Sequence, residues 1–104
     1  MKVKELLREL KEINSTNNYL HLNSGGNTGD NFDILGIEEE EDRYIISCDS
    51  NETLDGTLTI EEVIRIITPL EMEKEIVGKV KMKYYNLSHI EDSTSVGWWQ
   101  LRTI

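Results

Sequence analysis

Carboxylates crowd the middle of this 104-residue chain, and they limit which segments can enter a core. Between Thr28 and Glu75 there are fifteen Asp and Glu residues against three Lys and Arg, a net charge of −12, whereas the whole chain carries −9. Charged side chains are rarely buried completely, so the apolar residues between the acidic runs must supply the core. The longest acidic run, Glu38–Asp42, predicts a solvated turn.

Size and composition predict one folded domain spanning residues 1–104. A chain of this length can bury roughly two-thirds of its unfolded surface. The apolar fraction is only 38%, but the apolar residues are bulky, with many Ile and Leu and no Ala. The lone cysteine, Cys48, excludes an internal disulfide and lies in an apolar run, so we expect it in the core. No run approaches the ~20 apolar residues of a membrane span, and no secretory leader is visible, which predicts a cytoplasmic protein.

The first two-thirds of the chain predict two helices and three strands. Apolar residues at helical spacing indicate a helix over Val3–Ile13. Thr59 followed by Glu62 is a capping box, so a second helix should begin there. Between the helices, alternation and short connections predict an antiparallel meander. Its strands are Tyr19–Asn23, Phe32–Ile37 and Arg43–Cys48.

The segment from Leu70 to Tyr84 alternates apolar residues at even positions with charged residues at odd ones, which is typical of a strand. The charges change sign across Gly78, so a hairpin turning near residues 76–78 would set Glu75 opposite Lys79. A helix over residues 69–77 is the alternative, because Pro69 suits a first helical position. The sequence does not decide between a strand and a helix for Leu70–Val77.

Two further strands are predicted at the C-terminal end, over Lys79–Leu87 and Val96–Ile104, with a polar turn over Glu91–Ser95 between them. The predicted fold class is therefore α+β: an N-terminal helix, a small antiparallel sheet, a second helix and a C-terminal β-hairpin. Trp98 and Trp99 are adjacent on the last strand, so one should enter the core while the other covers a surface or meets a partner.

Motifs for chemistry are sparse, and an enzyme is the least supported class. The loop Asn51–Glu62 resembles a calcium-binding EF-hand loop, but Asn51 and Thr53 stand where acids are needed, and a turn with a helix cap explains the same residues. We expect His21 and His89 to be surface or edge-strand residues. We predict no metal and no cofactor.

Three segments carry a resemblance to a known family: Lys4–Lys11, Arg43–Ser47 and Asn51–Leu54. Together they resemble a small acidic anti-CRISPR protein that inhibits Cas9. The resemblance covers the first half of the chain, and it implies an α+β, phage-borne inhibitor that mimics DNA. In that type, carboxylates occupy the basic groove that reads the PAM. Glu52 in the matched segment and the neighbouring Asp49 are the residues that it implies for the site.

The charge pattern predicts a non-catalytic domain that binds a basic protein surface, with a nucleic-acid-binding protein as one candidate partner. Neither direct binding of nucleic acid nor membrane binding is expected. Acidity that serves only solubility is a competing explanation. Another function class is a structural or accessory domain of a phage or mobile element, acting through a Trp-bearing apolar surface. The predicted partner-binding residues are Glu38, Glu39, Glu40, Glu41, Asp42, Asp49, Glu52, Asp55 and Trp99.

Overall fold

The fold was analysed in a computed structural model that describes residues 1–14, 17–25, 30–51, 56–93 and 98–104. Within these ranges the chain forms two helices and six strands, which confirms the predicted α+β class. The helices are α1 (Val3–Lys11) and α2 (Ile60–Ile67). The strands are β1 (Tyr19–Ser24), β2 (Asp30–Glu39), β3 (Arg43–Cys48), β4 (Glu75–Val80), β5 (Lys83–Ser93) and β6 (Trp98–Thr103). In the described ranges, neither helix has the length and apolar character required to cross a bilayer.

The six strands close into a barrel in the order β1-β2-β3-β4-β5-β6. The antiparallel meander predicted for the first three strands is confirmed. Two pairings are parallel, β3 with β4 and β1 with β6. The first is possible because α2 lies in the crossover between its two strands, as a parallel connection requires. The second pairs the first and last strands and so closes the barrel.

The predicted hairpin around residues 76–78 is wrong. Ile76 and Gly78 lie inside β4, where they pair with Tyr44 and Ile46 of β3. The β4–β5 turn comes at Lys81 and Met82 instead. Segment 76–78 is buried in the barrel wall, and Gly78 packs closely against Leu22 of β1. A Cβ on Gly78 would lie 3.0 Å from Cδ2 of Leu22.

The helix alternative over residues 69–77 is also wrong, because Glu75 already starts β4. Strand β5 is longer than predicted and includes Glu91–Ser93, which the sequence suggested as a turn. These three residues pair with Trp98–Gln100 of β6, and the pairing extends the strand. The rest of that predicted turn lies outside the described residues.

Both helices pack on the same core as the barrel interior. Helix α1 buries Val3, Leu6 and Leu10, and α2 buries Ile60, Val63 and Ile67. The predicted capping box is present, since Thr59 Oγ1 accepts from the Glu62 backbone N–H at 3.2 Å. Backbone bridges join Lys2 to Glu75 and Tyr19 to Thr59. The helices therefore attach where β1 and β4 begin, which we term the helix end of the barrel. The other end, where β3 and β4 finish, is termed the open end.

Candidate functional site

The β2–β3 hairpin carries the five consecutive carboxylates. Glu38 and Glu39 lie within β2, so only Glu40–Asp42 form the turn, and the prediction that the whole run is a turn is wrong in that part. The backbone N–H of Glu40 donates to the carbonyl of Arg43 at 2.8 Å and closes the turn. Strands β2 and β3 each pair with a neighbour on both sides, because the barrel is closed. The turn between them therefore sits on a rigid support.

Glu40 is engaged by its own neighbours on the outer face of the barrel. Arg43 Nε donates to Glu40 Oε1 at 2.8 Å, and Tyr84 OH donates to Oε2 at 3.4 Å. The bond from Arg43 holds the pKa of the Glu40 carboxyl below its usual value. The Tyr84 ring is itself flanked by the Arg43 guanidinium at 4.2 Å and the Lys79 ammonium at 5.0 Å. Glu40 therefore has a local structural role.

Lys74, in the segment before β4, forms an ion pair with Glu39 and so links that segment to the β2–β3 turn. Lys74 Nζ lies 3.6 Å from Glu39 Oε1 and 3.7 Å from Glu71 Oε2. It also donates to the backbone carbonyl of Glu40 at 2.9 Å and sits 4.6 Å above the Tyr44 ring. The Lys74 side chain is only 11% exposed, so these contacts are a fixed part of the helix end.

The acids preceding β4 are also paired. Glu73 accepts from Lys4 at 2.7 Å and from Lys2 at 3.0 Å, and these hydrogen bonds lower the pKa of Glu73 to about 2. Glu75 meets the N-terminal ammonium of Met1 at 2.8 Å. The charge of residues 71–75 is thus largely neutralised by α1 and its N-terminus.

Three carboxylates of the hairpin remain without an ion pair. Glu38, Glu41 and Asp42 are exposed, and no Lys, Arg or His side chain of the described residues lies within 4.0 Å of their oxygens. Glu38 lies in β2, and Glu41 and Asp42 lie in the turn itself, whose other acid, Glu40, pairs with Arg43. We refer to these three residues as the free acidic turn.

The other predicted site residues differ in how close they lie to the free acidic turn. Asp49 follows β3 at the open end, so a strand of six residues, about 20 Å of chain, separates it from Glu41 and Asp42, but it lines one pocket together with Glu38. Its side chain accepts from the Asn51 backbone N–H at 3.0 Å. Trp99 packs against the core beside Ile13 and Ile90. Glu52 and Asp55 lie outside the described residues, as does part of the calcium-like loop.

Polar residues are buried on the outer face of β1 and β2, and the sequence did not predict this. His21 is 1% exposed, Asn23 2% and Asp33 4%, so the expectation that His21 lies at the surface is wrong, whereas His89 is exposed. Alternation places Leu20 and Leu22 inward and so suggested that His21 points to water. The signal that was missed is Asp33, a lone acid in an apolar run directly across the strand pair from His21.

The buried cluster is held together by Asp33. Its Oδ1 lies 2.8 Å from His21 Nε2 and accepts from the Gly56 backbone N–H at 3.1 Å. This His21 contact is close, but neither ring nitrogen of His21 meets the geometry of a hydrogen bond. The Trp98 ring lies 5.1 Å from the imidazole. Next to it, Asn23 donates to Asn31 Oδ1 at 3.0 Å.

The chemistry that this cluster can perform is limited. Burial raises the pKa of Cys48 to about 12, with Asp33 adding to the effect, so the nearest thiol is not a thiolate at neutral pH. In the described parts of the chain, no three His, Cys, Asp or Glu side chains are placed to hold a metal ion. Through the contacts of Asp33, the cluster joins β1, β2 and the segment at Gly56.

Acid should destabilise the fold through His21. Burial lowers the pKa of His21, and Asp33 opposes this shift without reversing it. Below about pH 6.5 the unfolded chain therefore takes up a proton at this histidine more readily than the folded chain does. The free energy of unfolding should therefore fall as the pH drops from 7 toward 5, by up to ~1.4 kcal/mol per pH unit from this group.

Urea unfolding at several pH values measures this effect, with His21→Gln as the variant that cannot titrate. We expect the wild type to lose more stability than the variant between pH 7 and pH 5. The contributions of all other groups are common to the two proteins and cancel. Parallel pH profiles for the two proteins would contradict the assignment.

Comparison of this chain with protein-family models, with curated proteins and with solved structures yields no match.

Proposed function

We propose that this protein is a non-catalytic binding domain of the cytoplasm whose free acidic turn docks on a basic protein surface. The observation that supports the proposal is the contrast within one hairpin. Glu39 and Glu40 are neutralised by Lys74 and Arg43, whereas Glu38, Glu41 and Asp42 are exposed and form no ion pair with any residue that the structure describes. The internal pairs fix the turn, and the free carboxylates are available to a partner.

Arginine is the side chain that such a turn fits best. Its guanidinium donates two parallel hydrogen bonds to one carboxylate, and these charge-assisted bonds are stronger than neutral ones. Proteins that bind nucleic acid present arginines in this way to phosphates and bases. The resemblance to anti-CRISPR inhibitors adds the same class of partner, so we propose a nucleic-acid-binding protein as the target and mimicry of its anionic ligand as the mode.

An arginine-rich peptide is a suitable probe, measured by titration calorimetry at low and high salt. The test variant is Glu38→Gln/Glu41→Gln/Asp42→Asn. If each exposed pair contributes ~0.5 kcal/mol, the triple variant should bind about tenfold more weakly. Affinity should also fall with added salt, because exposed charges are screened.

The matched control removes the same charge elsewhere, through Glu12→Gln/Asp30→Asn/Glu61→Gln, all at exposed positions. We expect the control to bind within about twofold of the wild type, because general attraction to net charge is a smaller effect than local contact. Equal losses in the two triple variants would show that net charge alone binds the peptide, and the proposed site would be wrong.

A further inference from the structure

A cleft lies at the open end of the barrel, at the opposite end from Glu41 and Asp42. Its volume is about 770 Å³, within the usual range for small-molecule sites. Phe32, Val80 and Tyr85 form its apolar floor. The first two are core residues and Tyr85 packs against the same core, so the floor is preformed.

The β4–β5 turn forms a cationic rim on one side of this cleft. Lys81 and Lys83 line it and are exposed, and neither forms an ion pair with a described residue. Lys83 Nζ lies 5.1 Å from the centre of the Tyr85 ring, so one ammonium already faces the floor.

The turn is also built at a cost to its backbone. Lys81 has φ of +57°, the left-handed region that glycine and asparagine favour, and it is the only described residue other than glycine with a positive φ. Beside it Met82 is 88% exposed. The strained turn therefore places the cation of Lys81, the apolar side chain of Met82 and the cation of Lys83 one after another at the edge of the apolar floor.

From this arrangement we propose that the cleft binds a small amphiphilic carboxylate, with an alkyl chain on the floor and its head group between Lys81 and Lys83. The floor favours the chain because burial removes apolar surface from water. The two ammonium groups select an anionic head group. Asp30 lines the β2 side of the cleft, and its charge repels an anion there, which directs the head group toward the lysines.

Decanoate, kept below its micelle concentration, is the probe, and its binding is measured by calorimetry. We expect binding at one site per chain, weakened about tenfold by Lys81→Gln/Lys83→Gln. The matched control, Arg8→Gln/Lys11→Gln, removes the same charge from exposed positions of α1 and should bind decanoate like the wild type. Decanol should bind equally to the wild type and the rim variant, since it lacks the charge.

Amide chemical-shift changes should locate decanoate at Phe32, Val80 and Tyr85. The proposal is overturned if millimolar decanoate does not bind, if the rim and α1 variants lose affinity equally, or if the shifts map to the helix end. The two proposals are tested with different ligands and different variants, so failure here leaves the peptide-binding proposal untouched.

Discussion

Replacing Asp33 with alanine should lower the free energy of unfolding by ~2–5 kcal/mol, one of the largest single-residue effects in this protein. The carboxylate is 4% exposed, accepts from the Gly56 backbone N–H and contacts His21 at 2.8 Å. A buried donor that loses its acceptor costs ~1–3 kcal/mol, and the buried imidazole loses its charged neighbour as well. Urea unfolding followed by tryptophan fluorescence measures the loss, and Trp98 beside His21 makes the signal sensitive to this region.

Two comparisons separate this cause from a general loss of packing. Asp33→Asn keeps an acceptor oxygen and should recover part of the stability. Asp30→Ala, on the same strand but exposed, should change stability by less than ~0.5 kcal/mol. If Asp33→Ala and Asp30→Ala were equally stable, Asp33 would not hold the buried cluster together.

Gly56→Ala should lower the free energy of unfolding by a comparable amount, because both the backbone conformation and the lack of space at this position oppose a side chain. Gly56 has φ of +79°, and a Cβ there would lie 2.4 Å from Cγ of Tyr19. The left-handed backbone costs a residue with a side chain ~1–2 kcal/mol, and overpacking adds ~1–3 kcal/mol. We therefore expect a loss of ~2–5 kcal/mol in the free energy of unfolding, measured by urea unfolding.

Gly36→Ala is the matched control, because a Cβ at Gly36 meets no atom within 4 Å. It should be nearly neutral or slightly stabilising. The steric part can be isolated with Tyr19→Ala, since the double variant should lose less than the sum of the two single losses. A Gly56→Ala protein as stable as Gly36→Ala would mean that the Tyr19 ring does not pack on this backbone.

The elements that the sequence predicted best are those whose signal is local. Strand β3 matches its predicted bounds because Tyr44, Ile46 and Cys48 alternate inward between polar ends. Helix α2 starts at its capping box, since Thr59 and Glu62 meet within one turn. Such signals depend on residues within a few positions of each other, so tertiary packing does not alter them.

Errors arose where distant residues decide the outcome. The alternating charges before and after Gly78 suggested a hairpin, but Glu73 finds Lys2 and Lys4, about seventy positions away. Parallel pairings leave no comparable trace in a single sequence, because the paired residues are separated by a crossover. The burial of His21 likewise depends on Asp33 in the next strand.

The sequence predicted an acidic turn between β2 and β3, and the structure shows which of its carboxylates lie beside a basic side chain. Five adjacent carboxylates marked the β2–β3 hairpin, but the sequence could not show which would be neutralised. Lys74 reaches Glu39 from the segment before β4, and Arg43 turns back on Glu40. Only the fold reveals that Glu38, Glu41 and Asp42 form no ion pair within the described part of the chain.

The position at which a basic peptide binds the folded protein decides whether the free acidic turn is a binding site. Amide chemical shifts should be recorded while an arginine-rich peptide is titrated into the wild-type protein at low salt. We predict that the largest changes cluster at Glu38–Arg43 and disappear when salt is raised. Changes centred on Asp30 and Asp49 at the open end, or spread evenly over exposed carboxylates, would contradict a binding role for the free acidic turn.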